Sequence, residues 1–440
     1  MVYMNGKNTL EAAALDDFES MAKVGSTDSV NLVVELGRPE KHPYDTGDGD
    51  WRGVMRFRVT KGISPLPANA INPNDVTVLH SNMGDAATLA AFVDWAESLY
   101  PAKKYMLLIW SHGQGWRIQL SRSRLRTSRN LYLKLAAFDE SARVNAVPDD
   151  LRGGFRSVSI DEDYGRPMYN RDIEDKLQGR HFEIIGFDAC LMGMIETGYA
   201  LRNVATLMVA TEELSPDAGW KYADWMNEVI KKPNLDAMAL AKILVSSYKA
   251  AYSGSSVDTS SLMSLDLSKI EAFGGSLSQF AQTLQHALPS EANSIASARH
   301  LSQTLGDWSS QSWFSCSSQD VLRFHGVDLG QFLTIYGQTT QNAQIKQQAA
   351  QLLMSARILT TAAFVSSPSG DDYSNNYVGV SIYFPGSPLD FKCDPDRDGY
   401  DVQKVRSGNV VFPPEFVQKE KWADFLHDYL SVARDDQHDQ

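Results

Sequence analysis

The sequence predicts an α/β protein with helices on both faces of a mostly parallel sheet. Two observations carry that prediction. One is the pair of apolar, strand-forming runs Tyr105–Trp110 and Phe182–Phe187, each halted by polar residues and followed by glycine. Parallel strands are covered on both faces and read as unbroken apolar runs. The other is the order of elements. Strand patterns alternate with helical periodicities along the first half of the chain, as expected of a sheet flanked by helices.

The elements follow in chain order. Residues 9–24 place Leu10, Ala13, Ala14, Phe18 and Met21 near helical spacing, with Asn8 or Thr9 as the N-cap. Residues 31–36 form an apolar strand, residues 38–53 a polar loop, and residues 56–60 an alternating, half-exposed strand. Residues 86–99 carry Leu89, Phe92, Val93 and Ala96 on one helical face, and the Tyr105 strand follows. Residues 117–134 are cationic and polar and read as an exposed loop. A short strand at 157–161 and a helix at 169–177 lead into the Phe182 strand, and a helix is expected directly from Leu191. Thr206–Thr211 is the next strand and ends in Glu212 and Glu213. A helix is read at 235–250, 262–288 is mixed and then helical, 295–365 is mostly helical with a polar break near 309–318, and Tyr377–Phe384 is a late strand stopped by Pro385. The implied domains are an α/β core at 1–254, a mostly helical inserted subdomain at 255–370, and a closing strand with the C-terminal segment at 371–440, returning to the core.

With 440 residues and 43% hydrophobic composition, the chain can bury a large core. A net charge of -13 argues against nucleic acid or an anionic membrane as a partner. An acidic cleft would favour a cationic substrate. The cysteines are Cys190, Cys316 and Cys393, too few for a disulfide scaffold. Cys316 and Cys393 are free to pair with each other, which leaves Cys190 as the natural free thiol. No run is apolar and long enough to span a bilayer, and no signal peptide opens the chain. Val2–Gly6 reads as the tail of a strand entering a turn.

The chemistry is expected where the two apolar strands end, at His112 and Cys190. In α/β sheets, sites lie at the carboxyl ends of parallel strands. If the strands are neighbours, the two residues meet as a Cys–His dyad, the arrangement of a cysteine peptidase. Imidazolium and a helix amino terminus both favour the thiolate. Glycine lets the backbone approach a scissile carbonyl, so the N–H groups of Gly113 and Cys190 are the candidate oxyanion hole.

Several ordered motifs carry a family resemblance. They are Val2–Gly6 with Asn8 and Leu10-Glu11, Trp110–Gly113 with Gly115-Trp116, Phe187–Gly193, and Ala210–Pro216 with Gly219-Trp220. Together they resemble the clostripain family of cysteine peptidases. The resemblance implies a caspase-like α/β/α sandwich, with 1–254 as its peptidase core. It implies His112 as general base, Cys190 as nucleophile, and cleavage of protein or peptide substrates after Arg or Lys. Asp188, two residues before the cysteine, becomes the acid at the floor of the S1 pocket. That is physically sound, because a buried carboxylate requires a charged partner. Glu212 and Glu213 are candidates to line the same cleft. Asp217 stands where the resemblance suggests glycine. Relatives are often self-cleaved between the base-bearing and nucleophile-bearing strands. Here the segment 117–134 offers Arg122, Arg124, Arg126, Arg129 and Lys134. Exported relatives suggest an extracellular or envelope location.

The chemistry requires no cofactor. Asp394, Asp396 and Asp398, with Gly399, begin like a calcium loop, although Val405 stands where its last carboxylate belongs. Calcium is therefore an expectation for that segment. The competing readings are a catalytically weak relative that binds basic peptides, and a surface module. Turnover of an Arg-containing peptide separates them from the peptidase.

Overall fold

The computed structural model describes residues 1–115, 157–216, 218–253, 260–306, 325–366, 376–394, 397–408, 410 and 414–433. Its frame is an eight-stranded sheet. The first strands are β1 (Val2–Asn5), β2 (Val33–Arg38), β3 (Gly53–Arg58) and β4 (Met106–Trp110). A hairpin of β5 (Ser157–Asp161) and β6 (Arg166–Tyr169) follows, then β7 (Phe182–Asp188) and β8 (Ala205–Ala210). The later strands are β9 (Ser260–Asp266), β10 (Gly326–Asp328), β11 (Thr360–Ser366) and β12 (Ser381–Tyr383). The order across the main sheet is β11-β9-β8-β7-β4-β1-β2-β3. The run from β2 to β8 is parallel, and β3 and β9 add antiparallel strands at its sides.

Strand alternation divides the core into two layers. Tyr3, Leu107, Ile109, Ile185 and Phe187 pack with the helices Ala86–Leu99, Ile195–Leu201 and Ile270–Leu301. Val2, Met4, Leu108, Trp110 and Ile184 pack on the other face, with the helices Glu11–Ala22, Tyr222–Lys231 and Ala237–Tyr252. Each fully buried aliphatic side chain contributes about 1.5–3 kcal/mol. Covering both faces explains why β4 and β7 are apolar throughout. The architecture is the caspase-like α/β/α sandwich.

Three expectations need correction. The segment 255–370 is not a separate helical subdomain: β9 and β11 from it extend the main sheet. Their alternation was hidden because they carry Ser and Thr as well as Leu, Met and Phe. The late strand does not return to the main sheet. β12 pairs with β10 in a separate two-stranded sheet, which meets the segment after the nucleophile at a Met194–Ser381 bridge and through the Ser381 N–H, which donates to the Gly193 carbonyl at 2.9 Å. The helix after β7 begins at Ile195, not Leu191.

Candidate active site

β4 and β7 are hydrogen-bonded parallel neighbours, with Ile109 opposite Phe187 and Trp110 opposite Asp188. The Ser111 N–H continues the ladder by donating to the Asp188 carbonyl at 3.3 Å. His112 and Cys190 each lie two residues beyond the last paired position, so both leave the same sheet edge at the same level. Gly113 brings the two loops into contact. A Cβ built there would lie 2.5 Å from the Cys190 carbonyl oxygen and 2.9 Å from Ala189 Cβ. Only glycine permits that approach.

His112 is half-buried, and its Nε2 lies 3.0 Å from the Thr9 hydroxyl. Thr9 was a candidate helix cap. Instead Asn8 Oδ1 accepts the Leu10 N–H at 2.9 Å, and the Thr9 hydroxyl turns to the imidazole. Behind His112, its carbonyl accepts the Ser159 N–H at 3.1 Å, tying the loop to the β5–β6 hairpin. Burial lowers the His112 pKa to about 4, so the ring is neutral at pH 7 and able to accept a proton.

Cys190 is a partly exposed free thiol. Its Sγ accepts the Ser215 N–H at 3.2 Å, a bond that strengthens as sulfur becomes negative. The expected helix amino terminus is not beside it. A turn through Leu191, at φ 62°, separates Cys190 from the helix Ile195–Leu201. Cys393 is disulfide-bonded, and Cys316 lies outside the described residues.

Asp188 ends β7 and is 5% exposed. Its Oδ2 accepts the Trp220 N–H at 3.1 Å and the Tyr222 hydroxyl at 2.9 Å. Burial raises its pKa, against these two donors and the field of Lys221. It makes no salt bridge among the described residues.

The expected roles of Glu212 and Glu213 are corrected by their surroundings. Glu212 is 1% exposed and lies near the buried Asp328. Asp328 already accepts the N–H groups of Gln331 at 2.7 Å, Val378 at 3.0 Å and Gly379 at 2.7 Å. Burial first, and then the neighbouring Asp328 carboxylate, push the Glu212 pKa far up. Glu213 Oε1 accepts the N–H groups of Leu214 at 2.9 Å and Gly306 at 2.8 Å. Both glutamates brace the strand end from within instead of lining a cleft.

Two members of the expected calcium cluster, Asp394 and Asp398, are described. Asp394 is 2% exposed and accepts the Tyr383 hydroxyl at 2.8 Å, while Asp398 pairs with Lys404 at 2.6 Å. Each carboxylate is committed to a different protein partner, and no metal-binding cluster forms among the described residues. Asp396 lies outside the described residues, as do Arg122, Arg124, Arg126, Arg129, Lys134 and Asp217. A site residue that sequence reasoning missed is Asp17, whose Oδ2 accepts the Trp110 indole N–H at 2.8 Å. Its signal was an acid within the apolar stripe of the first helix.

Comparison with known proteins bears on family and fold. The clostripain family model matches residues 2–152 and 144–428. Clostripain of Hathewaya histolytica is 27% identical over 236 residues, a match covering 50% of this chain and 40% of that protein. The chain thus spans well under two thirds of that relative. An inactive zymogen C11 protease from Parabacteroides distasonis has the same fold, with a TM-score of 0.59 and 16% identity, covering 97% of this chain and 96% of that one. A secreted C11 cysteine protease from Bacteroides thetaiotaomicron, solved with an irreversible peptide inhibitor, gives a TM-score of 0.54 at 19% identity, covering 87% and 91%. The chain belongs to the clostripain family.

Proposed function

We propose that this chain is a cysteine endopeptidase that cleaves after Arg or Lys. The observation that carries the reading is His112 and Cys190 leaving neighbouring parallel strands at one level, with the buried Asp188 alongside. His112 is neutral at rest, so it acts as a general base and not as half of a preformed ion pair. It takes the thiol proton as Sγ attacks the scissile carbonyl. The tetrahedral intermediate then expels the amine, which receives that proton, and leaves a thioester. Water, deprotonated by His112, hydrolyses the thioester and restores the thiol. The Gly113 N–H is assigned to the developing oxyanion. Asp188 supplies the negative charge that selects a cationic side chain.

Self-cleavage is assigned to the segment containing Arg122, Arg124, Arg126, Arg129 and Lys134. The Parabacteroides protein is described as a zymogen, which supports such a step. An extracellular location is in keeping with the Bacteroides protein, described as secreted. No helix among the described residues is long and apolar enough to cross a membrane. Substrates are peptides or proteins with an accessible Arg or Lys. The test is turnover of an Arg-containing chromogenic peptide by wild type and by Cys190→Ala. Activity in wild type alone supports the assignment. A folded wild type, incubated until self-cleavage is complete and still inert on Arg and Lys peptides, would remove it.

A further inference from the structure

We propose that Asp17 is the second acid of the Asp188 pocket, and that the two carboxyls together read an arginine side chain in preference to lysine. This deepens the peptidase reading and rests on it. The helix Glu11–Ala22 lies on the sheet face that carries Trp110, and it buries Ala14, Leu15, Phe18, Met21 and Ala22. Asp17 is three residues after Ala14 and four before Met21, so helical spacing sets it on that same face. The register that places Trp110 opposite Asp188 brings Asp17 to the end of β7.

The two acids converge around Gly219. A Cβ built on Gly219 would lie 3.4 Å from Asp17 Oδ2 and 3.1 and 3.4 Å from the two Asp188 oxygens. Gly219 has φ +47°, and its missing side chain leaves that point open. The Tyr252 hydroxyl holds the Gly219 carbonyl at 2.7 Å. Neither acid makes a salt bridge among the described residues. The nearby cation is Lys221, whose Nζ bonds the Ala218 carbonyl at 3.3 Å and lies 5.3 Å from the centre of the Tyr252 ring. Asp188 Oδ1 and Asp17 Oδ1 accept no hydrogen bond among the described residues, although Asp188 is almost wholly buried.

A buried acid beside a half-buried one, with no cation paired to either among the described residues, is costly, and like charges so close share a proton. Burial first, then the other acid, raises Asp17; Asp16 adds to this, while Trp110 and Lys221 oppose it. Burial raises Asp188, opposed by Trp220, Tyr222 and Lys221. An incoming cation displaces the shared proton. A guanidinium presents five donors in a planar fork and can bridge two carboxylates, whereas an ammonium is a compact point charge that one carboxylate satisfies.

The test uses the full chain and two peptides that differ only by Arg or Lys at the cleaved position. Asp17→Asn retains an acceptor for the Trp110 indole, so thermal melting should resemble wild type. The variant should lose about tenfold or more in kcat/KM for the Arg peptide, chiefly through KM, and less than about threefold for Lys. In wild type, KM for Arg should fall as pH rises through the region where the pair loses its proton, and Asp17→Asn should flatten that dependence. If Asp17→Asn keeps the wild-type Arg-to-Lys ratio while Asp188→Asn loses Arg cleavage, Asp17 has no such role and the reading of Asp188 survives. If Asp188→Asn also cleaves normally, the pocket itself is misassigned. Should Asp17→Asn fail to melt cooperatively, Asp17→Ser carries the same comparison.

Discussion

At the residue scale, the base depends on small contacts. The Thr9 hydroxyl lies 3.0 Å from His112 Nε2 and orients the ring. Thr9→Val should lower kcat about tenfold with little change in KM, as misorientation of a catalytic group does, and Thr9→Ser should restore it. Equal kcat in Thr9→Val and wild type would show that packing alone holds the ring. Gly113→Ala should be more severe, because its Cβ meets backbone, not a flexible side-chain tip. A loss of about a hundredfold or more in kcat is expected, with the far-ultraviolet spectrum unchanged. The depressed His112 pKa also has a stability consequence. The folded state keeps the ring neutral down to about pH 4, whereas an unfolded histidine protonates near 6.5. Between those values the unfolded state binds more protons, so stability is lost as pH falls through that window and is fully retained above it. Melting of a His112→Gln variant, compared with wild type from pH 7 to 4.5, should show a smaller acid-induced drop.

At the element scale, the β5–β6 hairpin supports the base-bearing loop, and the residues of the first motif hold the hairpin. Asn5 Nδ2 donates to Ser159 Oγ at 3.0 Å and to the Ile160 carbonyl at 2.8 Å. Lys7 is fully buried and pairs with Asp161 at 3.3 Å and Asp163 at 3.2 Å. Asp163 in turn accepts the Glu40 and Lys41 N–H groups at 2.9 and 3.0 Å. Removing one member of a buried charge network strands the others, at a cost of about 3–5 kcal/mol. Lys7→Met should therefore lower Tm markedly, and it should lower activity beyond the loss of folded protein because Ser159 supports His112. An unchanged Tm would mean the network adds nothing. Local reading of the sequence reached β4, β7 and the position of His112 and Cys190 just beyond their ends, because unbroken apolar runs that stop there are contiguous signals. It missed β9 and β11, whose Ser- and Thr-rich strands gain their burial from distant partners. It misread Glu212, since a carboxylate at a strand end looks alike whether it faces solvent or a buried Asp328. Asn5 was legible as part of a motif and Lys7 was not, and the partners of both at 159–163 are set only by tertiary folding.

At the scale of the whole molecule, the main sheet draws strands from both sides of the proposed self-cleavage segment. β1 to β4 precede that segment; β7 and β8 follow it, and β4 pairs with β7 through five successive registers from Met106–Ile184 to Trp110–Asp188. Both core layers draw on each side. Phe92, Ile109, Phe187 and Met208 share one layer, while Phe18, Trp110, Trp220 and Tyr248 share the other. Separating the two parts would expose both layers and leave β4 and β7 as open apolar edges. A chain cut once between residues 115 and 157 should therefore remain one particle. Limited digestion at basic sites in that segment, followed by size-exclusion chromatography without denaturant, should give a single peak at the mass of the intact chain. A denaturing gel of the same peak should show both fragments in equal amounts. Fragments that elute separately would mean that the loop, and not the β4–β7 junction and its two core layers, holds the halves together. The same preparation tests regulation: if activity on a small Arg peptide rises in step with the cut while the particle stays whole, then cleavage opens the site without rebuilding the sheet.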